Sequence, residues 1–225
     1  LLKQQKKKIV SANIIWRRKG VRYYQKVRKN LFQNRREKIG ICGVSHGMGV
    51  TSLVLSFAAA FVGRKKENCL CIFMDRDSVQ MNFLEAYDVV KFCGNLVLYQ
   101  KDKIDYVFCS GLEEIKEAAK LAYDVLLYDL GVLPEKMLLE ATDVESLFII
   151  GSLRPWCYHN YQFFFSNCYQ KNQDMLQGKC YALGLNMQEK MRFEKEFGKC
   201  IKELPYINNP WKLTRLEAEA LLQMC

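Results

Sequence analysis

The amino-acid sequence predicts an α/β protein built as a three-layer, doubly wound, mostly parallel sheet of about seven strands. Short apolar runs typical of buried strands alternate with helical segments along most of the chain. One of these runs leads through a glycine-rich turn directly into an apolar helix. The 225 residues, half of them hydrophobic and only four of them proline, are enough for one large domain with a full core.

The strand, turn and helix between residues 38 and 62 determine the rest of the prediction. Ile39 and Ile41 belong to a short, mostly apolar strand, and Thr51 and Ser52 open a helix rich in Ala, Leu, Val and Phe. The turn between them is rich in small residues: Gly43, Ser45, Gly47 and Gly49. This arrangement points backbone N–H groups and a helix N-terminus at a phosphate.

The strict P-loop motif, G-x-x-x-x-G-K-[ST], is incomplete in this turn. Gly49 and Thr51 stand at its second glycine and its hydroxyl position. Val44, however, replaces the first glycine, and Val50 replaces the lysine. The sequence therefore predicts a phosphate cradle that lacks its main cation.

The remaining apolar and amphipathic runs continue the alternation to the end of the chain. They predict strands at 69–75, 104–109, 123–129, 146–150, 180–186 and 200–204. They predict helices at 112–122, 134–141, 155–168, 189–197 and 216–224. This order favours parallel strands covered by helices on both faces of the sheet.

Two of the predicted strands end in acidic residues. The first ends at Asp75 with Asp77 two residues later, and the other ends at Asp129 with Gly131 two residues later. Open α/β sheets bind ligands at the carboxyl ends of their strands, and in P-loop proteins an Asp at the second of these places holds magnesium. For Asp75 and Asp77 the alternative is a turn with a helix cap, since Asp caps helices well.

The positive charge of the chain is concentrated before the predicted domain. Residues 1–38 hold 14 of the 34 Lys and Arg residues but only one of the 24 acidic residues. We therefore divide the chain into a basic leader or interdomain linker, residues 1–37, and a domain, residues 38–225. The leader is suited to contacts with DNA, anionic lipid or acidic protein surfaces, or it is a solvated linker or helix. Its composition leaves these alternatives open.

The cysteine content and the lack of long apolar runs indicate a cytoplasmic protein. None of the ten cysteines forms a C-x-x-C pair, and only two histidines are present, so zinc-site spacing is absent. Several cysteines lie in apolar runs, where free Cys behaves as a small core residue. No apolar run is long enough to span a bilayer, and no signal peptide is recognisable.

Three stretches, in this order and at this spacing, resemble the MinD/ParA family of deviant-Walker ATPases, which belong to the SIMIBI class of P-loop proteins. SHGMGVTS at 45–52 lines up with the family's K-G-G-x-G-K-T-T, and CIFMDRDSVQMN at 71–82 is similar to its second strand and D-x-D-x-Q-x-N run. YDVLLYDLG at 123–131 resembles its Walker B segment. ALGLNMQEK at 182–190 and ELPYINNPWKLTRLEAEA at 203–220 resemble its late strand and closing segment.

The resemblance implies a domain that binds ATP with magnesium and dimerises face to face around the nucleotide. The phosphates would be bound by Gly47, Met48, Gly49, Val50, Thr51 and Ser52. Thr51 and Asp129 would hold magnesium, and Asp77 and Asp129 would organise the metal and water for catalysis. Asp75 and Gly131 would support these groups, and Asn186 would lie near the adenine.

The departures from the family pattern affect its two lysines. In the family the first lysine reaches across the dimer to the partner's phosphates, and the second holds the β- and γ-phosphates. These positions fall on Ser45 and Val50, respectively, and His46 replaces a glycine. A charged hydrogen bond contributes about 1.5–3 kcal/mol, so each loss would weaken phosphate binding about ten- to a hundredfold. Phosphoryl transfer relies on positioning and positive charge, and hydrolysis should therefore suffer more than binding.

The first functional hypothesis is a pseudo-ATPase that acts as a dimerising scaffold or positioning protein, similar to the TadZ type that places pilus or secretion machinery. The second is an active partition or localisation ATPase that uses the remaining phosphate contacts. A third is an NAD(P)-binding Rossmann-type enzyme, because Gly47-x-Gly49-x-x-Ser52 nearly fits G-x-G-x-x-G and Asp75 ends the second strand. A fourth is a DNA-binding module that acts through the basic leader.

Overall fold

The apolar runs form a nine-stranded sheet in a computed structural model that describes residues 36–74, 89–132, 134, 136–171 and 173–225. In chain order the strands are β1 Glu37–Gly43, β2 Cys69–Phe73, β3 Val89–Cys93, β4 Leu96–Lys101, β5 Ile104–Phe108, β6 Val125–Val132, β7 Ser146–Ser152, β8 Lys179–Leu183 and β9 Ile201–Glu203. Their order across the sheet is β3-β4-β5-β2-β6-β1-β7-β8-β9. The predicted α/β class is confirmed.

The strand count of about seven was wrong, because the described residues contain nine strands. The two missed strands, β3 and β4, form an antiparallel hairpin, and β4 also pairs antiparallel with β5. The two-residue turn between β3 and β4 contains Gly94, whose φ of 60° lies in the left-handed region. A Gly-Asn pair between two strand-like runs is a known hairpin signal, so the sequence did contain the information.

The parallel body of the sheet places β1 in the centre, between β6 and β7. Ile41 of β1 and Phe73 of β2 both pair in register with Asp129 of β6. The register of β1 against β6 shifts between Ile41 and Gly43. The carboxyl ends of β1, β2 and β6 consequently meet at one edge of the sheet.

Six α-helices cover both faces of the sheet in the described residues: α1 Val50–Ala60, α2 Leu112–Ala119, α3 Lys136–Thr142, α4 Tyr158–Lys171, α5 Met187–Phe197 and α6 Arg215–Leu222. Helices α1 and α6 pack on one face, where Phe57 and Phe148 contact each other at 5.5 Å between ring centroids. Helices α2 to α5 pack on the other face, where Tyr161 and Phe193 are 5.0 Å apart. The two buried clusters give the three layers that the sequence predicted.

The helix ends follow local sequence signals. Helix α1 begins after Gly49, whose left-handed conformation ends the preceding turn, and a π-helical turn at Phe61–Lys65 continues it. Helix α6 begins with a capping box in which Thr214 and Glu217 each accept a hydrogen bond from the other's backbone N–H. All ten cysteines are free, and most are buried among apolar residues. None of the helices described by the structure combines the length and the apolar character needed to cross a membrane.

Candidate functional site at the glycine loop

The candidate site is a cavity of about 580 Å³ at the carboxyl ends of β1, β2 and β6. Its lining combines the glycine loop, residues 44–49, and the first turn of α1 with residues that end β2 and β6. The described lining residues are Ser45, His46, Gly47, Met48, Gly49, Val50, Thr51, Ser52, Phe73, Met74, Asp129, Leu130, Gly131 and Val132. This is the position at which open α/β sheets bind ligands.

The backbone of the glycine loop depends on two glycines. Gly47 and Gly49 have φ angles of 77° and 81°, in the left-handed region that residues with a Cβ rarely adopt. Beside each of them the space where a side chain would lie is open. The first turn of α1 carries no acidic residue that would repel an anion at the helix N-terminus. The loop therefore has the form of an anion cradle.

The base of the glycine loop is fixed by close packing against the centre of the sheet. The N–H of Val44 donates to the carbonyl of Ile150 on β7 at 2.9 Å. A Cβ at Gly151, the next residue of β7, would lie 2.6 Å from Cγ2 of Val44 and 2.7 Å from Cε2 of Tyr161. The first residue of the loop thus has little freedom to move.

Val50, at the lysine position of a P-loop, belongs to the apolar core. It is 8% exposed and packs in the buried cluster formed by α1 and the sheet. Its Cγ2 would lie 3.1 Å from a Cβ built at Gly43. The side chain therefore stabilises the base of the loop and supplies no charge to the cavity.

Ser45, at the first of the two lysine positions in the resemblance, is hydrogen-bonded to a helix of the same chain. Its hydroxyl oxygen accepts a 3.2 Å hydrogen bond from the side-chain amide of Asn160 on α4. No feature of the sequence pattern pointed to Asn160, because it comes from a distant segment and belongs to no motif.

Thr51 and Asp129 form the polar centre of the site. The hydroxyl of Thr51 donates to Oδ2 of Asp129 at 2.6 Å, and the N–H of Gly131 donates to Oδ1 at 3.1 Å. Asp129 is only 8% exposed, so its carboxylate lies largely out of water. Hydroxyl and carboxylate oxygens are the ligands that magnesium prefers, so these two side chains fit a magnesium ion held together with a phosphate.

The charge of the described lining is negative. It contains Asp129 but neither lysine nor arginine, and His46, its only histidine, is exposed.

Cys42 lies on β1, next to the loop. Burial raises the pKa of its thiol well above the usual value. Cys42 is therefore a neutral core residue.

Asn186, predicted to lie near the adenine, is placed at the start of α5. Its side-chain oxygen accepts a 2.8 Å hydrogen bond from the N–H of Glu189 and so caps this helix. It is not among the described residues that line the glycine-loop cavity. A second cavity of about 820 Å³ lies at the ends of β8 and β9. Leu183 and Gly184, which shortly precede Asn186 in the sequence, contribute to its lining together with Pro205.

The structure brings most of the predicted site residues together. Residues 47–52, Asp129 and Gly131 line one cavity. Asp75 and Asp77 lie outside the described residues, and their roles stay predictions. Sequence reasoning missed the apolar wall supplied by Phe73, Met74 and Val132. Phe73 and Met74 come just before Asp75, and Val132 follows Gly131. These positions beside an acid or a glycine near a strand end were the signal that the sequence contained.

A mostly parallel sheet with a glycine loop between its central strand and the next helix, and an Asp at the end of the neighbouring strand, defines the fold of the P-loop nucleoside triphosphatases. Solved structures of the MinD and ParA ATPases share this fold with the chain, which confirms the resemblance at the level of architecture.

Three solved structures illustrate the likeness. A ParA family ATPase from Chlorobium tepidum TLS gives a TM-score of 0.57 at 13% identity, over 84% of this chain and 90% of that one. The MinC:MinD cell division protein complex from Aquifex aeolicus gives 0.54 at 15% identity, over 76% and 82%. The septum site-determining protein MinD from Pyrococcus horikoshii OT3, complexed with Mg-ADP, gives 0.52 at 12% identity, over 84% and 94%. Comparisons with protein-family models and with curated protein sequences gave no match.

Proposed function

We propose that residues 38–225 form a MinD/ParA-type domain that acts as a dimerising scaffold or positioning protein, with weak or no ATP hydrolysis. The observation that carries the proposal is the environment of Val50 and Ser45, the residues at the two lysine positions. Val50 is buried in the core, and Ser45 is hydrogen-bonded to Asn160 of the same chain. Neither residue can stabilise the charge that develops on a transferred phosphoryl group.

The site retains the parts that bind nucleotide without performing chemistry on it. The left-handed glycines keep the loop in the shape of a cradle, and the cavity beside it is open. When bound, magnesium would neutralise part of the phosphate charge. Thr51 and Asp129, already 2.6 Å apart, would hold the ion. These features support binding of ATP or ADP with magnesium by a domain that hydrolyses ATP slowly.

The same pair of residues supports a second candidate, an active partition or localisation ATPase. A buried Asp in the second half of β6 that contacts the Thr in the first turn of α1 is an arrangement that a hydrolysing site also needs. The two candidates differ in one measurable quantity, the rate at which the chain releases phosphate from ATP.

The partners that we propose are a second copy of the chain and the proteins of a localisation or secretion machine in the cytoplasm. The functional analogy that we draw is with the TadZ type, and it rests on the altered loop alone. The basic leader, residues 1–37, would connect the domain to other parts of such a machine or contact DNA. Fluorescence anisotropy of the full chain with duplex DNA tests the DNA contact, because affinity through phosphates falls steeply with salt.

The decisive experiment for the enzyme question is phosphate release by the full chain with ATP and magnesium, combined with chromatography of the nucleotide freed on denaturation. We expect turnover equal to that of a blank or only slightly above it, and the chromatography identifies any nucleotide that the purified protein carries. Turnover of about 1 s⁻¹ or faster, within the usual range for enzymes, would contradict the scaffold proposal and favour the active ATPase.

Restoring the missing cations tests the cradle itself. Ser45→Lys and Val50→Lys should each increase ATP affinity about ten- to a hundredfold if the loop binds phosphate. Gln170→Lys adds the same charge at an exposed position near the C-terminal end of α4 and serves as the matched control. Thermal shifts with NAD test the Rossmann-type alternative, for which stabilisation by NAD and not by ATP would be required.

A further inference from the structure

We infer that the glycine-loop site recognises the diphosphate part of a nucleotide and does not read the γ-phosphate, so that it binds Mg-ADP at least as tightly as Mg-ATP. This inference rests on the proposed function, since it concerns the ligand of the same site. It also specifies which nucleotide the site selects. Hydrolysis of ATP to ADP would then not switch the domain between two states.

A phosphate-binding loop contacts the successive phosphates through different groups. Backbone N–H groups of such loops cradle the α- and β-phosphates, whereas the lysine reaches the β- and γ-phosphates. Here the backbone contribution is kept, because Gly47 and Gly49 retain the left-handed conformations that shape the cradle. The lysine contribution is lost at Val50, which is 8% exposed and packed against the core. The β- and γ-phosphates both lose this contact, but the β-phosphate keeps the backbone N–H groups of the loop, whereas the γ-phosphate does not.

Ser45, at the other lysine position, makes a hydrogen bond within its own chain. The Ser45 hydroxyl accepts its hydrogen bond from Asn160, a neutral amide on α4. A neutral side chain at this position carries no charge that could reach the phosphates of a partner subunit. A second copy of the chain would therefore not restore the missing cation through Ser45.

A γ-phosphate would meet negative charge in the described lining of the cavity. The described lining of the cavity contains the carboxylate of Asp129, 8% exposed, and no lysine or arginine. The Thr51 hydroxyl already donates to this carboxylate, and together they fit one magnesium ion. ATP carries one more negative charge than ADP, and the described part of the lining offers no lysine or arginine to balance it.

The consequence for function is that hydrolysis of the γ-phosphate would not change the state of this domain. A nucleotide would stabilise the loop in either form, and assembly would be controlled by the partners. This separates the domain from a site that alternates between two nucleotide-bound states.

The test is isothermal titration of the nucleotide-free full chain with Mg-ADP and with Mg-AMPPNP, an ATP analogue that is not hydrolysed. We expect the dissociation constant for Mg-AMPPNP to equal or exceed that for Mg-ADP. Binding of Mg-AMPPNP about tenfold tighter than Mg-ADP would overturn the inference. So would the failure of both nucleotides to bind at about 1 mM, an outcome that leaves a nucleotide-free scaffold intact.

A lysine variant supplies the matched comparison. Ser45→Lys, at a half-exposed loop position, should lower the dissociation constant for Mg-AMPPNP about tenfold or more and that for Mg-ADP by less. Val50→Lys should do the same, and Ser45→Lys keeps the test valid if a lysine at the buried position prevents folding. An equal gain for both nucleotides would contradict the inference. ATP turnover decides the proposed function separately, whereas the ratio of the two dissociation constants decides this inference.

Discussion

The hydroxyl of Thr51 donates a 2.6 Å hydrogen bond to the carboxylate of Asp129, 78 residues further along the chain. Thr51 lies in the first turn of α1, directly after the glycine loop, and Asp129 lies in the second half of the neighbouring strand β6. The contact joins the two segments that a metal-bound nucleotide would require, and it holds a carboxylate that is largely removed from water.

Removing the Thr51 hydroxyl should destabilise the domain. Thr51→Val keeps the shape of the side chain but leaves the buried Asp129 carboxylate with one donor fewer, at an expected cost of about 1–3 kcal/mol in the free energy of unfolding. Urea denaturation at pH 7 measures it. Ser52→Ala, at the exposed neighbouring position, should change the free energy by less than about 0.5 kcal/mol. Equal effects of the two variants would show that the Thr51–Asp129 contact is not stabilising.

Removing the Asn160 amide should loosen the glycine loop while the domain stays folded. Asn160→Ala deletes the donor to Ser45, a contribution of about 0.5–1.5 kcal/mol, so amides of the loop should exchange about two- to tenfold faster. Hydrogen-exchange mass spectrometry of peptides covering residues 44–49 measures this. Asn167→Ala, which removes an amide bonded to the carbonyl of Phe163 within α4, is the control. If the loop amides of Asn160→Ala exchange at the unchanged rate, the hydrogen bond between Asn160 and Ser45 does not hold the loop.

A methyl group at Gly151 should disturb the base of the glycine loop. The Cβ of Gly151→Ala would lie 2.6 Å from Val44 and 2.7 Å from Tyr161, which is itself held by a hydrogen bond to the carbonyl of Tyr181. We expect a loss of about 1–3 kcal/mol in the free energy of unfolding, measured by urea denaturation. Gly63→Ala adds the same methyl group where no atom lies within 4 Å, and it should be neutral or stabilising. A Gly151→Ala protein as stable as Gly63→Ala would refute this packing argument.

The cap of α6 should give the domain part of its acid sensitivity. Hydrogen bonds from the backbone N–H and the side chain of Thr214, and from the backbone N–H of Asn208, hold the pKa of Glu217 below its ordinary value of 4.5. A lowered carboxyl pKa contributes stability that is present above the unfolded-state pKa and is lost as the pH falls through the folded-state pKa. Glu217→Gln should therefore be less stable than the unmodified chain at pH 7, and the difference should shrink below about pH 4.5.

Urea denaturation between about pH 7 and pH 3 measures this difference. Glu145→Gln, at an exposed carboxylate just before β7, is the control and should follow the unmodified chain at each pH. A difference between Glu217→Gln and the unmodified chain that stays constant over the whole pH range would rule out the carboxylate as the titrating group.

The hairpin of β3 and β4 shows where local sequence information was present but was outweighed by the expected pattern. The Gly94 turn and the flanking apolar residues indicate two strands. A parallel sheet in which strands and helices alternate, however, contains no antiparallel pair of consecutive strands. The hairpin is accommodated because β4 pairs with β5 at one side of the parallel body, where a strand can join in either direction. Such additions depend on pairing between strands and not on the periodicity of one segment.

The sequence by itself determined the α/β class, the glycine loop, and the identity of the residues at its two lysine positions. It could do so because buried strands, left-handed glycines and missing charges are properties of single residues and short segments. Only the tertiary structure decided where the replaced side chains point. Val50 packs into the core and Ser45 binds Asn160, because folding brings β1, α1 and α4 together from distant parts of the chain. The same long-range packing placed Asp129 against Thr51, and this pairing cannot be read from either segment alone.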